Sequence, residues 1–256
     1  MFSIRKKTEV KSFNSLIEQG YILEYSDGQT PLETIINDPE VPNIDKIYKH
    51  QFCGQNFFVN AICPNCKKPL LQFFVFDLAD ERVGIVDSSY PKIPLLFCWT
   101  CELSQSPFFY QLEDKEQITI LRYNEGEAYA DFPYDNYPIF FPAAFVFLSP
   151  LTKKEQQLIT SVNLQETSIS RMRVQEPDLF GCRHQLGGEP FLIQRNPEYQ
   201  LSEPLVCPLC NSIMPFFAAV ADDCLLPEGF TGNVGVQVLF HICSKCYVLC
   251  AINRCD

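Results

Sequence analysis

Four Cys-x-x-Cys pairs, arranged as two matched sets, constrain this chain more than any other feature. Cys63-Pro-Asn-Cys66 is followed by Cys98-Trp-Thr-Cys101, and Cys207-Pro-Leu-Cys210 by Cys243-Ser-Lys-Cys246. Thirty-one residues separate Cys66 from Cys98, and thirty-two separate Cys210 from Cys243. The offset from Cys63 to Cys207 is 144 positions and that from Cys98 to Cys243 is 145. His50-Gln51 precedes the first set and His184-Gln185 the second, 134 positions apart. Each Cys-Pro-x-Cys pair leads into an apolar stretch, Pro69 to Phe76 and Ile213 to Val220. Three blocks recurring in one order mark an internal repeat.

A two-residue spacer lets both sulfurs of a turn face one ion, and a second such turn completes a tetrahedron of soft donors. Two structural Zn2+ sites are therefore expected. Cys63, Cys66, Cys98 and Cys101 form one, and Cys207, Cys210, Cys243 and Cys246 the other. The gap between knuckles exceeds the usual ribbon spacing of about 15–20 residues, so each unit carries a longer hairpin or loop. Two rival readings are weaker. Buried thiols serving as small apolar side chains would not be so regularly paired. Redox Cys-Pro-x-Cys motifs sit where a strand meets a helix, whereas the residues after Cys66 and Cys210 read as strands. Pairing of knuckles across the halves stays open. Cys53, Cys182, Cys224, Cys250 and Cys255 have no repeat partners and count as structural, with Cys255 the most accessible candidate for a reactive thiol.

Twenty-two Phe and eleven Tyr favour strands, and nineteen Pro oppose long helices. The expected fold is mainly β (β-rich α+β): two tandem, pseudo-symmetric zinc-ribbon-like β units packed together with a bridging helix. Residues 1–45 read as an N-terminal lead-in, 46–145 as the first zinc-binding unit, 146–174 as a helical linker and 175–256 as the second unit. A strand is expected over Gln117 to Tyr123, and a short helix from Pro31 after Thr30. A longer helix to about Val162 follows Ser149 as N-cap with Pro150 at the first helical position. Thr152 and Glu155 have capping-box spacing within it.

The formal charge of −11, with only short Lys pairs, argues against nucleic acid as a partner. No secretory leader is expected from the polar residues that follow Arg5-Lys6-Lys7, and no run of about 20 apolar residues is present. A cytoplasmic protein without a membrane partner is expected, and because disulfides are rare in that compartment the thirteen cysteines need another account. Gly187-Gly188 suits a tight turn with positive φ. His50 and His184 read as structural, and His241 as a solvated strand residue or an alternative ligand. The acidic and aromatic stretch Tyr123 to Phe141 reads as a loop packing its rings inward. There is no Ser-His-Asp set and no His-Glu-x-x-His, so no catalytic residue is assigned.

The second half, through His184-Gln-Leu-Gly-Gly-Glu-Pro190, Cys207-Pro-Leu-Cys210, Met214, Phe216-Phe217, Gly235, Phe240, Cys243-Ser-Lys-Cys246 and Cys255-Asp256, resembles the YwqG-like family of bacterial proteins of unknown function. A weaker likeness runs to programmed cell death protein 2, which has a similar Gly-Gly-x-Pro segment before cysteine pairs. The first half shares the pattern only through the repeat, and Cys53-Gly54-Gln55-Asn56 stands where Gly187-Gly188-Glu189-Pro190 stands later. The resemblance implies escorting of a ribosomal protein in eukaryotic relatives and an immunity role beside toxin systems in some bacterial ones. Either suits an acidic surface and a basic protein partner. The leading expectation is a zinc-stabilised, non-catalytic protein-binding scaffold. The alternatives are an enzyme of unknown reaction and a thiol-redox protein using the Cys-x-x-Cys pairs.

Overall fold

The apolar runs become strands of one antiparallel sheet. The computed structural model describes residues 19–25, 34, 37–85, 90–98, 107–114, 116–125, 139–166, 168, 171, 184–192, 204–221 and 236–255. Eleven strands lie within them: β1 (Tyr21–Tyr25), β2 (Gln51–Phe52), β3 (Leu71–Asp77), β4 (Lys92–Phe97), β5 (Phe108–Leu112), β6 (Ile118–Arg122), β7 (Ala144–Pro150), β8 (Gln185–Leu186), β9 (Phe216–Ala221), β10 (Val236–Cys243) and β11 (Val248–Cys255). Helices α1 (Asn43–Ile47) and α2 (Lys153–Asn163) join them. The chain is thus mainly β. Of the helix expected from Pro31, Thr34 and Asn37 are helical and the rest lies outside the described residues. No helix among the described residues is long and apolar enough to cross a membrane.

Strand order is β4-β3-β2-β7-β1-β8-β9-β10-β11-β5-β6. The pair β1–β7 sits between two three-strand runs, β2-β3-β4 on one side and β8-β9-β10 on the other. Tyr21–Tyr25, which the sequence assigns to the lead-in, pairs with β8 instead of β2, and β7 pairs with β2. Strands from the start and the middle of the chain therefore cross over, so neither half closes its sheet alone. A second crossing joins β11 to β5, with Val248 opposite Gln111 and Ala251 opposite Phe108.

The sheet curls around a single aromatic interior. Phe52, Phe74, Phe76, Phe97, Phe108, Tyr110, Phe217 and Phe240 are all essentially inaccessible. Phe76 of β3 meets Phe217 of β9 edge to face at 5.6 Å, which brings the two runs into contact across the core. Burying each such ring stabilises the fold by roughly 1.5–3 kcal/mol. On the outer face α2 places Leu158, Ile159 and Val162 against Ile22 and Leu151. Its start differs from the expected one. Ser149 and Pro150 finish β7, and Thr152 is the N-cap, exchanging hydrogen bonds with Glu155 in a complete capping box. The strand pairing of Ser149 with Ile22 and of Pro150 with Tyr21 outweighs the local helix signal.

Both free edges of the sheet are closed by side chains. The Tyr110 hydroxyl accepts from the Leu96 amide at 3.0 Å and donates to the Pro94 carbonyl at 2.9 Å, capping β4. Asn60 brackets Ile118 on β6, accepting from its amide at 2.9 Å and donating to its carbonyl at 2.6 Å. Asn65 donates to the Asn124 carbonyl at 2.9 Å. Residues 60–65 thus run along β6 and hold it.

Matching contacts recur around the two histidines. His50 Nδ1 accepts from the Asp77 amide at 3.1 Å, and His184 Nδ1 accepts from the Ala221 amide at 3.1 Å. Gln51 donates to the Cys53 carbonyl and Gln185 to the Gly187 carbonyl, each at 2.8 Å. Gly187 and Gly188 have φ of 62° and 65°, as the expected turn requires, and Cys53 and Gly54 have 52° and 86°. A Cβ on Gly188 would stand 2.8 Å from Gly20 Cα, so the approach of β1 to this turn needs glycine. Cys53 has no such freedom and costs on the order of 1–2 kcal/mol.

His50 also carries a buried ionic network. Its Nε2 lies 2.8 Å from Asp80, which Arg82 grips and links to Asp45 at 2.6 Å. Burial alone would raise the Asp80 carboxyl, but hydrogen bonds from His50 and Arg82 outweigh it and hold the group at about 2. The unfolded value is about 3.9, so this stabilisation is complete above that value and lost as pH falls towards 2.

Two outcomes follow. Tyr110→Phe should cost about 1–3 kcal/mol in urea unfolding, because it orphans a buried amide and carbonyl. Asp80→Asn should lower the urea midpoint most above about pH 5, with the gap to wild type narrowing towards pH 2. A gap independent of pH would contradict the ionic account.

Candidate metal centres

Each Cys-Pro-x-Cys pair occupies a tight turn between bridged residues. Ile62 pairs with Pro69, and Val206 with Ile213. The Cys63 amide donates to Lys68 O at 2.8 Å, and the Lys67 amide returns to Cys63 O at 3.0 Å. The second turn repeats this, with Cys207 to Ser212 O at 2.9 Å and Asn211 to Cys207 O at 2.9 Å. Lys67 and Asn211 close the turns at φ of 63° and 56°. Asparagine adopts that conformation readily and lysine does not. The turns feed β3 and β9, so neither motif opens a helix.

The facing cysteines come from strand ends. Cys98 follows β4, Cys243 ends β10, and Cys246 lies in the short turn before β11. Cys207, Cys210, Cys243 and Cys246 bring four sulfurs within 4.8 Å of one another. Cys63, Cys66 and Cys98 do the same with three. Cys101, the expected fourth member, lies outside the described residues. The Cys66–Cys98 separation is 3.7 Å and that of Cys210–Cys243 is 3.6 Å. The question of pairing across halves is answered for these residues, since each cluster draws on its own half.

Sulfurs this close compete for ionisation. The hydrogen bond from Cys98, aided by the Cys66 and Asn65 amides, outweighs burial and draws Cys63 down to about 7. Hydrogen bonds from the Ser212 side chain and amide draw Cys210 down to about 6. Burial pushes Cys243 up, and burial with hydrogen bonding to Cys210 pushes Cys246 up to about 12. In the second cluster Cys210 is prepared as a thiolate while Cys243 and Cys246 resist ionising beside it. A divalent cation removes that conflict, and the donor set suits a soft tetrahedral one.

The two clusters sit in different surroundings. The first packs into the aromatic core, where Cys63 and Cys98 are buried and Cys66 half-buried, and its turn is held to β6 by Asn60 and Asn65. The second lies on the outer face among Phe109, Met214, Val248, Cys250 and Ile252. There Cys210 is exposed, and Val206, Leu209 and Ile213 around it are 47%, 50% and 66% exposed. Sequence reasoning showed no sign of Asn60, Asn65 or Ser212, because single polar residues in turns carry no distinctive spacing.

His241 forms no part of either cluster. Its Nδ1 lies 3.2 Å from the Met214 carbonyl, and burial holds its imidazole down to about 4. His184 nests among Tyr25, Phe52 and Phe74, and burial holds it down to about 3. Cys53 and Cys250 are buried, and burial pushes the Cys250 thiol up. Cys182, Cys224 and the side chain of Cys255 lie outside the described residues. So does most of the stretch from Tyr123, although Phe141 packs inward and Ile139 and Phe140 are 68% and 46% exposed.

No family model, no curated protein and no solved structure matches this chain.

Cobalt(II) added to metal-free chain should develop the intense sulfur-to-metal charge-transfer absorption of tetrahedral thiolate coordination. Cys207→Ser should remove about half of that intensity. Full intensity in that variant would show that its cluster does not bind metal.

Proposed function

We propose that this chain is a zinc-stabilised scaffold that binds a protein partner and carries out no catalysis. The observation that carries the metal part is the convergence of four thiols at Cys207, Cys210, Cys243 and Cys246, matched by Cys63, Cys66 and Cys98. Cys101 is assigned as the fourth ligand of the first site from its spacing. Zn2+ is the ion these donors favour in a cytoplasm that keeps thiols reduced. The turn geometry supports zinc over thiol redox catalysis, because both motifs lead into strands.

The matched histidine contacts, glycine turns and cysteine knuckles support a reading as two copies of one β unit whose first strands, β1 and β7, have changed places. In that reading zinc pins each long hairpin at its base, while the exchanged strands make the halves inseparable.

Binding is supported by surface chemistry. Val206, Leu209 and Ile213 expose apolar area at the second knuckle, and such patches serve as contact sites. Two tetrathiolate sites would make the formal charge of −11 more negative by two units each. A basic protein with an apolar anchor fits both features, as an escorted protein or a neutralised toxin would. The motif likeness to the YwqG-like family and to programmed cell death protein 2 agrees with this proposal.

Tagged chain should hold one partner in one-to-one complex across a range of salt concentrations. Leu209→Asp with Ile213→Asp should abolish that complex while leaving metal content and unfolding unchanged. Absence of a stable partner at every salt concentration, or full binding by the double variant, would overturn the proposal.

A further inference from the structure

The two thiol clusters differ in what guards them. In the first, Asn60 and Asn65 tie the knuckle to β6, and the described sulfurs face the core. In the second, Leu209 replaces Asn65 in the repeat and points no amide at a covering strand. Instead Cys210 is exposed, with its sulfur 3.6 Å from that of buried Cys243. The Lys245 ammonium donates to Ser212 Oγ at 3.1 Å, two residues beyond Cys210.

We infer that the second cluster is a peroxide-sensitive modification site, at which oxidation of Cys210 and Cys243 to a disulfide releases the bound metal while the first cluster keeps its own. This inference rests on the zinc reading above. The oxidant is hydrogen peroxide or an organic hydroperoxide. The Cys210 thiolate attacks the O–O bond, which breaks, giving a sulfenic acid and water or an alcohol once the departing oxygen takes a proton. The Cys243 thiolate then attacks that sulfur. The S–S bond forms and hydroxide leaves, becoming water on protonation. Two sulfurs have lost two electrons in total and the peroxide has gained them. Two of the four donors no longer hold Zn2+, which departs.

Exposure decides the order of attack, because an oxidant must touch the sulfur and buried thiols react slowly. The geometry needs only a modest closing of the 3.6 Å gap to the bonded length of about 2.05 Å. Release would free the knuckle that carries Val206, Leu209 and Ile213, coupling oxidation to the proposed binding surface.

The test begins with elemental analysis of the purified full chain, then follows metal release during hydrogen peroxide titration with a chromogenic chelator. Peptide mapping identifies the bonds formed, and dithiothreitol with added zinc is used for reversal. The expected result is rapid loss of one of two zinc equivalents, a Cys210–Cys243 disulfide, and recovery on reduction. Two zinc equivalents lost together, earlier loss from the first cluster, or a disulfide that excludes Cys210 would overturn this inference and leave the zinc reading intact. Absence of zinc from the starting protein would overturn both.

Discussion

Sulfur atoms packed within a few ångströms cannot all ionise without a cation, and that constraint governs much of the chain. The clusters stand at the bases of the longest hairpins, where β3 turns to β4 and β9 to β10. Each joins a tight turn before one strand to the end of the next. In isolation such a hairpin would pay a large loop-closure entropy with few local contacts to offset it. Metal binding in small finger peptides contributes about 10–16 kcal/mol of apparent free energy, far more than any single ring in the core. Metal coordination is therefore the term on which the rest of the proposed architecture leans.

The pairing of β1 and β7 across the two halves supplies the second constraint. Because β1 pairs with β8 and β7 with β2, the halves share hydrogen bonds that neither makes alone. The aromatic interior then forms from both at once, with Phe76 against Phe217. Most of these contacts are distant in sequence, so folding must bring chain ends together before much apolar surface is buried. Side-chain caps at Tyr110, Asn60 and Asn65 finish what the ladders leave open, protecting edges that would otherwise invite intermolecular pairing.

Local chemistry was legible in the sequence where short spacing fixes geometry. The cysteine turns, the Thr152–Glu155 capping box and the positive φ of Gly187 and Gly188 are all set by neighbours within a few residues. Pairings across the chain were not legible. Nothing in Tyr21 to Tyr25 announces that it lies beside β8, since a five-residue strand carries its partner's identity only through tertiary packing. Ser149-Pro150 misled for the same reason: a good local helix start is overridden when both residues are claimed by pairing with β1. The network of His50, Asp80, Arg82 and Asp45 draws on residues up to 37 positions apart, and no motif joins them.

The central claim is that both clusters hold zinc through sulfur alone. X-ray absorption at the zinc edge, on protein purified without added metal and quantified by elemental analysis, tests it most directly. The account predicts two zinc ions per chain, each with an all-sulfur shell at about 2.3 Å. A chain free of zinc, or zinc bound mainly through nitrogen and oxygen, would contradict it.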